Sequence, residues 1–247
     1  MAGFALEKWY ADCTTDDGRA VILYSAKLDW RGPAIHYTNL LARGRSRVSL
    51  RRQTGLEGMA WRSAKWKAAA EWREPGAAVR EMLYESDGGR LEWDCVAPRC
   101  TAEVRIGDEH YRGWGYVERL RMTVAPWLLP IRELRWGRFV NATDAVVWID
   151  WRGSYNRRVV YWNGAAVGAS AIGDRAIVLD DGSVLSLDET AVLREGALGT
   201  TALKMVRTAF PRSILNVRER KWLSRAVLRR PDGSESVGMA IHEVVEW

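Results

Sequence analysis

Phenylalanine, histidine and cysteine each occur only three times in 247 residues, and proline seven times. His36, His110 and His242 share no ligand-like spacing, and with no fourth thiol a structural zinc site is a poor fit. Cys13, Cys95 and Cys100 form an odd set. Cys95 and Cys100 lie five apart, on opposite faces of a continuous strand, which argues against a local disulfide. Reduced thiols fit better, so a cytoplasmic location is expected. Nowhere does an apolar run reach the roughly 18 residues of a membrane-spanning helix. The opening MAGFALEKWYADC lacks the basic start and apolar stretch of a secretion signal, although a trimmed start stays open. There is no G-x-S-x-G elbow, no G-x-G-x-x-G opening a helix and no phosphate loop. No metal, nucleotide or other cofactor is expected.

What the chain does have is tryptophan, fourteen of them, within a hydrophobic content of 47% that suits a globular protein. Tryptophan couples a broad apolar face to one N–H that wants a partner, which suits pocket walls as well as cores. The net charge of +6 arises from 37 basic and 31 acidic residues, with arginine scattered through strand-like segments. The densest cluster, Arg43 to Arg52, reads first as a solvated strand and turn. A contact to phosphate or an anionic membrane surface is the alternative, but no nucleic-acid motif accompanies it, and no nucleic-acid partner or stable membrane insertion is expected.

Turn signals divide short runs rich in Val, Ile, Trp and Tyr: Asp16-Asp17-Gly18, Asp87-Gly88-Gly89, Asn163-Gly164, Asp180-Asp181-Gly182 and Asp232-Gly233. Strands are predicted over 19–28, 47–52, 79–86, 90–96, 101–106 and 113–123. In the second half they fall over 145–151, 158–162, 175–179, 184–187, 221–229 and 239–246. Only 63–72 and 201–208 carry a helical pattern. The spacing Gly113-x4-Glu118 recurs as Gly238-x4-Glu243, each after a strand and a turn, and hints at an internal repeat. An all-β protein of two antiparallel barrels follows, over residues 1–130 and 131–247. The boundary is placed in a crossover over 127–138, where Pro126 and Pro130 interrupt pairing.

On an extended strand Trp114, Tyr116 and Glu118 point the same way. A carboxyl among rings either has its proton affinity raised by desolvation, as a general acid requires, or is salt-bridged to an arginine such as Arg135 or Arg138. Tyr10 and Asp12 share a face at the first strand. They read as a hydrogen-bonded acid/base partner, or Asp12 as an anchor to a neighbouring arginine. Trp148 and Asp150 repeat the ring-then-acid order. Glu243, on a stripe with Met239, Ile241 and Val245, reads more readily as paired than as a second proton donor.

Trp9-Tyr10-Ala11-Asp12, Gly113-Trp-Gly-Tyr116, Pro126-Trp127 and Trp136-Gly137-Arg138 together resemble the motifs of the carotenoid hydratase (hydroxyneurosporene synthase) family. The resemblance implies two lipocalin-like barrels and a hydrophobic pocket; the family's relatives include pericyclic cyclases acting on greasy polyketides. Where the hydratases carry His-Asp-His, this chain has Val117-Glu118-Arg119, and Leu120-Arg121 stand where Asn-Trp-Gly follows. A mechanism needing those histidines does not carry over. The combined expectation is a cofactor-independent lyase or isomerase acting on a terpenoid, carotenoid or polyketide by cyclisation, double-bond migration or hydration. Glu118, Tyr10 and Asp12 would be catalytic, and Trp114, Tyr116, Trp127, Trp148 and Asp150 would line the substrate. A non-catalytic carrier of a hydrophobic ligand is the alternative.

Overall fold

The computed structural model describes residues 3–52, 56 and 58–247, with Glu189 and Thr190 described by backbone alone. Contacts divide the chain into two units, one ending at Leu128 and the other spanning Leu129–Trp247. Each is a curled, nine-stranded antiparallel sheet forming a barrel-like domain.

The first unit runs β1 (Ala5–Thr14), β2 (Ala20–Asp29), β3 (Ile35–Ala42), β4 (Arg45–Ser49), β5 (Ala60–Ser63), β6 (Ala68–Arg73), β7 (Val79–Ser86), β8 (Gly89–Ile106) and β9 (Glu109–Met122). Its sheet order is β4-β3-β2-β1-β9-β8-β6-β5, with β7 also on β8. The second unit runs β10 (Ile131–Val140), β11 (Ala145–Gly153), β12 (Arg157–Trp162), β13 (Ala165–Val167), β14 (Ala169–Ile172), β15 (Ala176–Leu179), β16 (Val184–Ala197), β17 (Arg218–Arg229) and β18 (Glu235–Glu246). Its order is β13-β12-β11-β10-β18-β17-β16-β15-β14. Gly168 alone separates β13 from β14, the two ends of that order, so the sheet curls round until its edges nearly meet. Phe139 and Trp148 from one side of the order and Ile172 and Ile177 from the other share one core.

The turn signals sit where they were read. Asn163 and Gly164 both have positive φ, the requirement of a two-residue hairpin turn. Strands 90–96 and 101–106 prove to be one strand, β8, with register shifts between Cys95 and Ala97 and between Ala97 and Cys100. β7 pairs with one half of it and β6 with the other, so the irregularity around Pro98 lets one strand serve two neighbours.

Two expectations are corrected. Residues 63–72 form no helix but the β5–β6 hairpin. Ala68, Ala70 and Trp72 alternate into the core, and that period-two burial outweighs the helix propensity of an alanine run. The crossover over 127–138 is also shorter than read, because a 3₁₀ turn over Pro126–Leu128 is followed at once by β10. Charges in IRELRWGRFV mask that strand's alternation. The pattern over 201–208 becomes a 3₁₀ segment, Lys204–Ala209. No helix among the described residues is long and apolar enough to cross a membrane.

Candidate active site

In each unit the last strand lies beside the first, and this fixes which side chains meet. On β1, Trp9, Ala11 and Cys13 enter the first core with Trp61, Trp66 and Trp72. Tyr10 and Asp12 therefore project from the opposite face, yet both are buried. The β1–β9 register sets Tyr10 opposite Glu118 and Asp12 opposite Tyr116. On the other flank of β9, Cys95 of β8 is opposite Glu118.

The polar atoms of this face are joined. The Tyr116 hydroxyl donates to Glu118 Oε2 at 2.7 Å, and the Trp93 indole N–H donates to the same oxygen at 2.6 Å. The Tyr10 hydroxyl donates to Asp12 Oδ2 at 2.9 Å. The Tyr10 ring meets Tyr24 edge-on at 5.2 Å and Tyr116 at 5.9 Å, joining the two acid–phenol pairs through aromatic contact. Burial, then the neighbouring Cys95 and Glu118, pushes the Tyr116 phenol well above its usual range. Burial likewise pushes the Cys95 thiol well above its usual range. Both keep their protons at neutral pH, so Tyr116 stays a donor.

The other residues read from the sequence lie apart from this group. Trp114 is two residues along the same face of β9, half-buried, with the Arg99 guanidinium 5.9 Å from its ring. Trp127 sits in the 3₁₀ turn and meets Trp30 at 4.9 Å and Phe4 at 5.6 Å. Trp148 belongs to the packed core of the second unit. It fits because Gly137 has no side chain; a Cβ there would fall 2.2 Å from its ring. Asp150 is buried and claimed by Arg152 at 2.7 Å and Arg158 at 3.0 Å, the anchoring fate.

Trp93, Cys95 and Tyr24 escape sequence reasoning, since they join the group only through register across β8, β9, β1 and β2. The repeat Glu118/Glu243 marks topologically matching positions. Glu243 on β18 faces Trp136 of the unit's first strand on one side and Lys221 on the other. Lys221, 1% exposed, is ion-paired to Glu243 and lies 5.0 Å from the Trp136 ring centre. The neighbouring His242 faces the other way, buried, with Nε2 2.9 Å from Ser224 Oγ. Burial first, then the Lys221 charge, holds its imidazole down at about 4. Among the described residues no cluster of three His, Cys, Asp or Glu side chains is placed to hold a metal ion.

No family model and no curated protein matches the chain. Solved structures do. CghA in complex with Sch210972 aligns with a TM-score of 0.57 at 11% identity, covering 98% of this chain and 88% of that one. A second structure of CghA gives the same values. A candidate AttH protein from Nitrosomonas europaea aligns at 0.50 and 12% identity, covering 98% and 92%. At such identities the likeness is one of fold. The chain shares along nearly its whole length the tandem-barrel fold of CghA.

Proposed function

We propose that this protein is a lyase or isomerase that works by proton transfer on a hydrophobic, unsaturated small molecule of the terpenoid, carotenoid or polyketide kind. The observation that carries the reading is the buried Glu118 carboxyl, with Tyr116 and Trp93 both donating to Oε2. Proton delivery from the Glu118 carboxyl to an alkene carbon would leave a carboxylate whose developing charge is met by donors already in place on Oε2. The cation formed on the substrate would be stabilised by the π faces of Tyr10, Tyr24 and Tyr116. It would then lose a proton to Asp12, be trapped by water, or close a ring. Binding of Sch210972 by CghA, a protein of the same fold, supports a small-molecule ligand. The motif resemblance supports membership of the carotenoid hydratase family, with Glu118 replacing the His-Asp-His acid.

The rival is a carrier that holds such a molecule without changing it. Incubation of the protein with polyene and polyketide substrates in D2O separates the two by mass spectrometry. A catalyst of this type returns product carrying solvent deuterium at carbon. Ligand recovered bound but unlabelled and unrearranged supports the carrier.

A further inference from the structure

One end of the first barrel gathers exposed groups that the proton-transfer chemistry does not use. β1 and β8 begin at this end, β9 finishes there, and the loop from β2 to β3 crosses it. Leu28 pairs with Ile35, and Thr38 with Ser49, so the chain leaving β4 emerges at the same end with Leu50, Arg51 and Arg52. The strand β4 thereby parts the arginine cluster of the sequence. Arg43 and Arg45 stay at the opposite end, where Arg43 has Glu109 at 3.4 Å.

The rim is both apolar and basic. Trp30 packs on Trp127, and Trp127 on Phe4, which fixes the two indoles half-buried at this end. Leu128, next along, is 60% exposed, and Leu50 is 41% exposed. A lone exposed leucine is ordinary, but two on one rim with two half-exposed indoles form a patch. Residues 31–34 are all exposed, and a Cβ at Gly32 would meet nothing within 4 Å, so this loop stands clear of the barrel. Arg31 has a φ of 52°, in the left-handed region, and its guanidinium lies 4.6 Å from the Trp30 ring centre.

Other charges near the rim are spent on each other. Lys27 holds Asp29 at 2.7 Å, while Arg90 at 2.8 Å and Arg121 at 2.7 Å both hold Glu92. Glu85 and Asp87 sit at the turn from β7 to β8, separated from β2 by β1, β9 and β8. Arg31, Arg51 and Arg52 are exposed and make no ion pair among the described residues.

We propose that this rim is a peripheral docking surface for a bilayer containing anionic phospholipids. Arg31, Arg51 and Arg52 meet the charged head groups, Trp30 and Trp127 settle at head-group depth, and Leu50 and Leu128 reach the acyl boundary. Charge and apolar contact are each weak alone, and a lipid surface rewards both together, whereas a soluble polyanion gives the leucines nothing. The surface does not depend on Glu118 and is tested without any substrate.

The full chain is sedimented with vesicles of phosphatidylcholine alone and with vesicles containing about one-third phosphatidylserine. Binding is expected only to the latter, and it should fall at least about tenfold between about 0.1 M and about 0.5 M salt. Arg31→Gln, Arg51→Gln and Arg52→Gln combined should weaken it about a hundredfold, at about fivefold for each cation. Leu50→Ser with Leu128→Ser should weaken it about tenfold. All five positions are exposed, and an unchanged thermal midpoint checks that the fold is spared. The proposal is overturned if the chain ignores phosphatidylserine vesicles, binds neutral vesicles equally well, or keeps its affinity in the arginine variant. It is equally overturned if the leucine variant binds as the wild type does, the result expected of a surface for soluble polyanions.

Discussion

At the scale of single residues, Glu118 and His242 show how a barrel wall holds titratable groups. Both are buried, 5% exposed each, and each rests on a partner in its own sheet. Trp93→Phe removes the indole donor to Oε2. Equilibrium urea unfolding is expected to show a loss of about 1–3 kcal/mol, the cost of a buried acceptor losing a donor. Tyr116→Phe should cost a similar amount. His242 gives a pH dependence with a definite sign. Its folded value of about 4 lies below the ordinary 6.5, so the unfolded chain takes up the proton first. The stability tied to it is complete above about pH 6.5 and is lost as pH falls towards 4, by roughly 3 kcal/mol at most. Carboxylates add their own acid slope, so the measurement is the difference in urea midpoints between wild type and His242→Gln across pH 7 to 4. That difference should shrink as pH falls, and a constant difference would contradict the burial argument.

At the scale of elements, alternation was the strongest signal and charge the commonest disguise. The motif strand from Gly113 was legible because Trp114, Tyr116 and Glu118 alternate with smaller or charged neighbours, and β9 carries them as read. The pairing of Tyr10 with Asp12 was legible for the same reason. Trp93 and Cys95 were not, because no local pattern says which strand lies beside β9 or in what register. The strand β10 was hidden by Arg132, Glu133, Arg135 and Arg138, of which Arg138 is fully buried despite its charge. Glycine made the closest approaches possible. Gly137→Ala would bring a methyl group against Trp148 and within 2.7 Å of His242 Cβ. Overpacking there is expected to cost about 2–3 kcal/mol and to appear as a lower thermal midpoint.

At the scale of the whole molecule, the run of strands that sets the last strand between the first and the penultimate is used twice, and the matching positions have been put to different use. In the first unit the residue across from the acid on the penultimate strand of the barrel seam is Cys95, a neutral thiol. In the second it is Lys221, and the acid Glu243 is spent on pairing with it. Breaking that pair by Lys221→Met should destabilise the protein by about 3–5 kcal/mol, since the partner carboxylate stays largely out of water. The repeat, faint in sequence as two Gly-x4-Glu spacings, therefore marks an architecture rather than a pair of equivalent sites. The direct test of the central claim is Glu118→Gln, which keeps the shape and the acceptor on the side-chain oxygen but removes the proton to be transferred. Turnover of a substrate that carries the label in D2O should fall by at least about a hundredfold, with ligand affinity within a few-fold of wild type. Turnover that survives in Glu118→Gln, or a loss confined to affinity, would contradict the account.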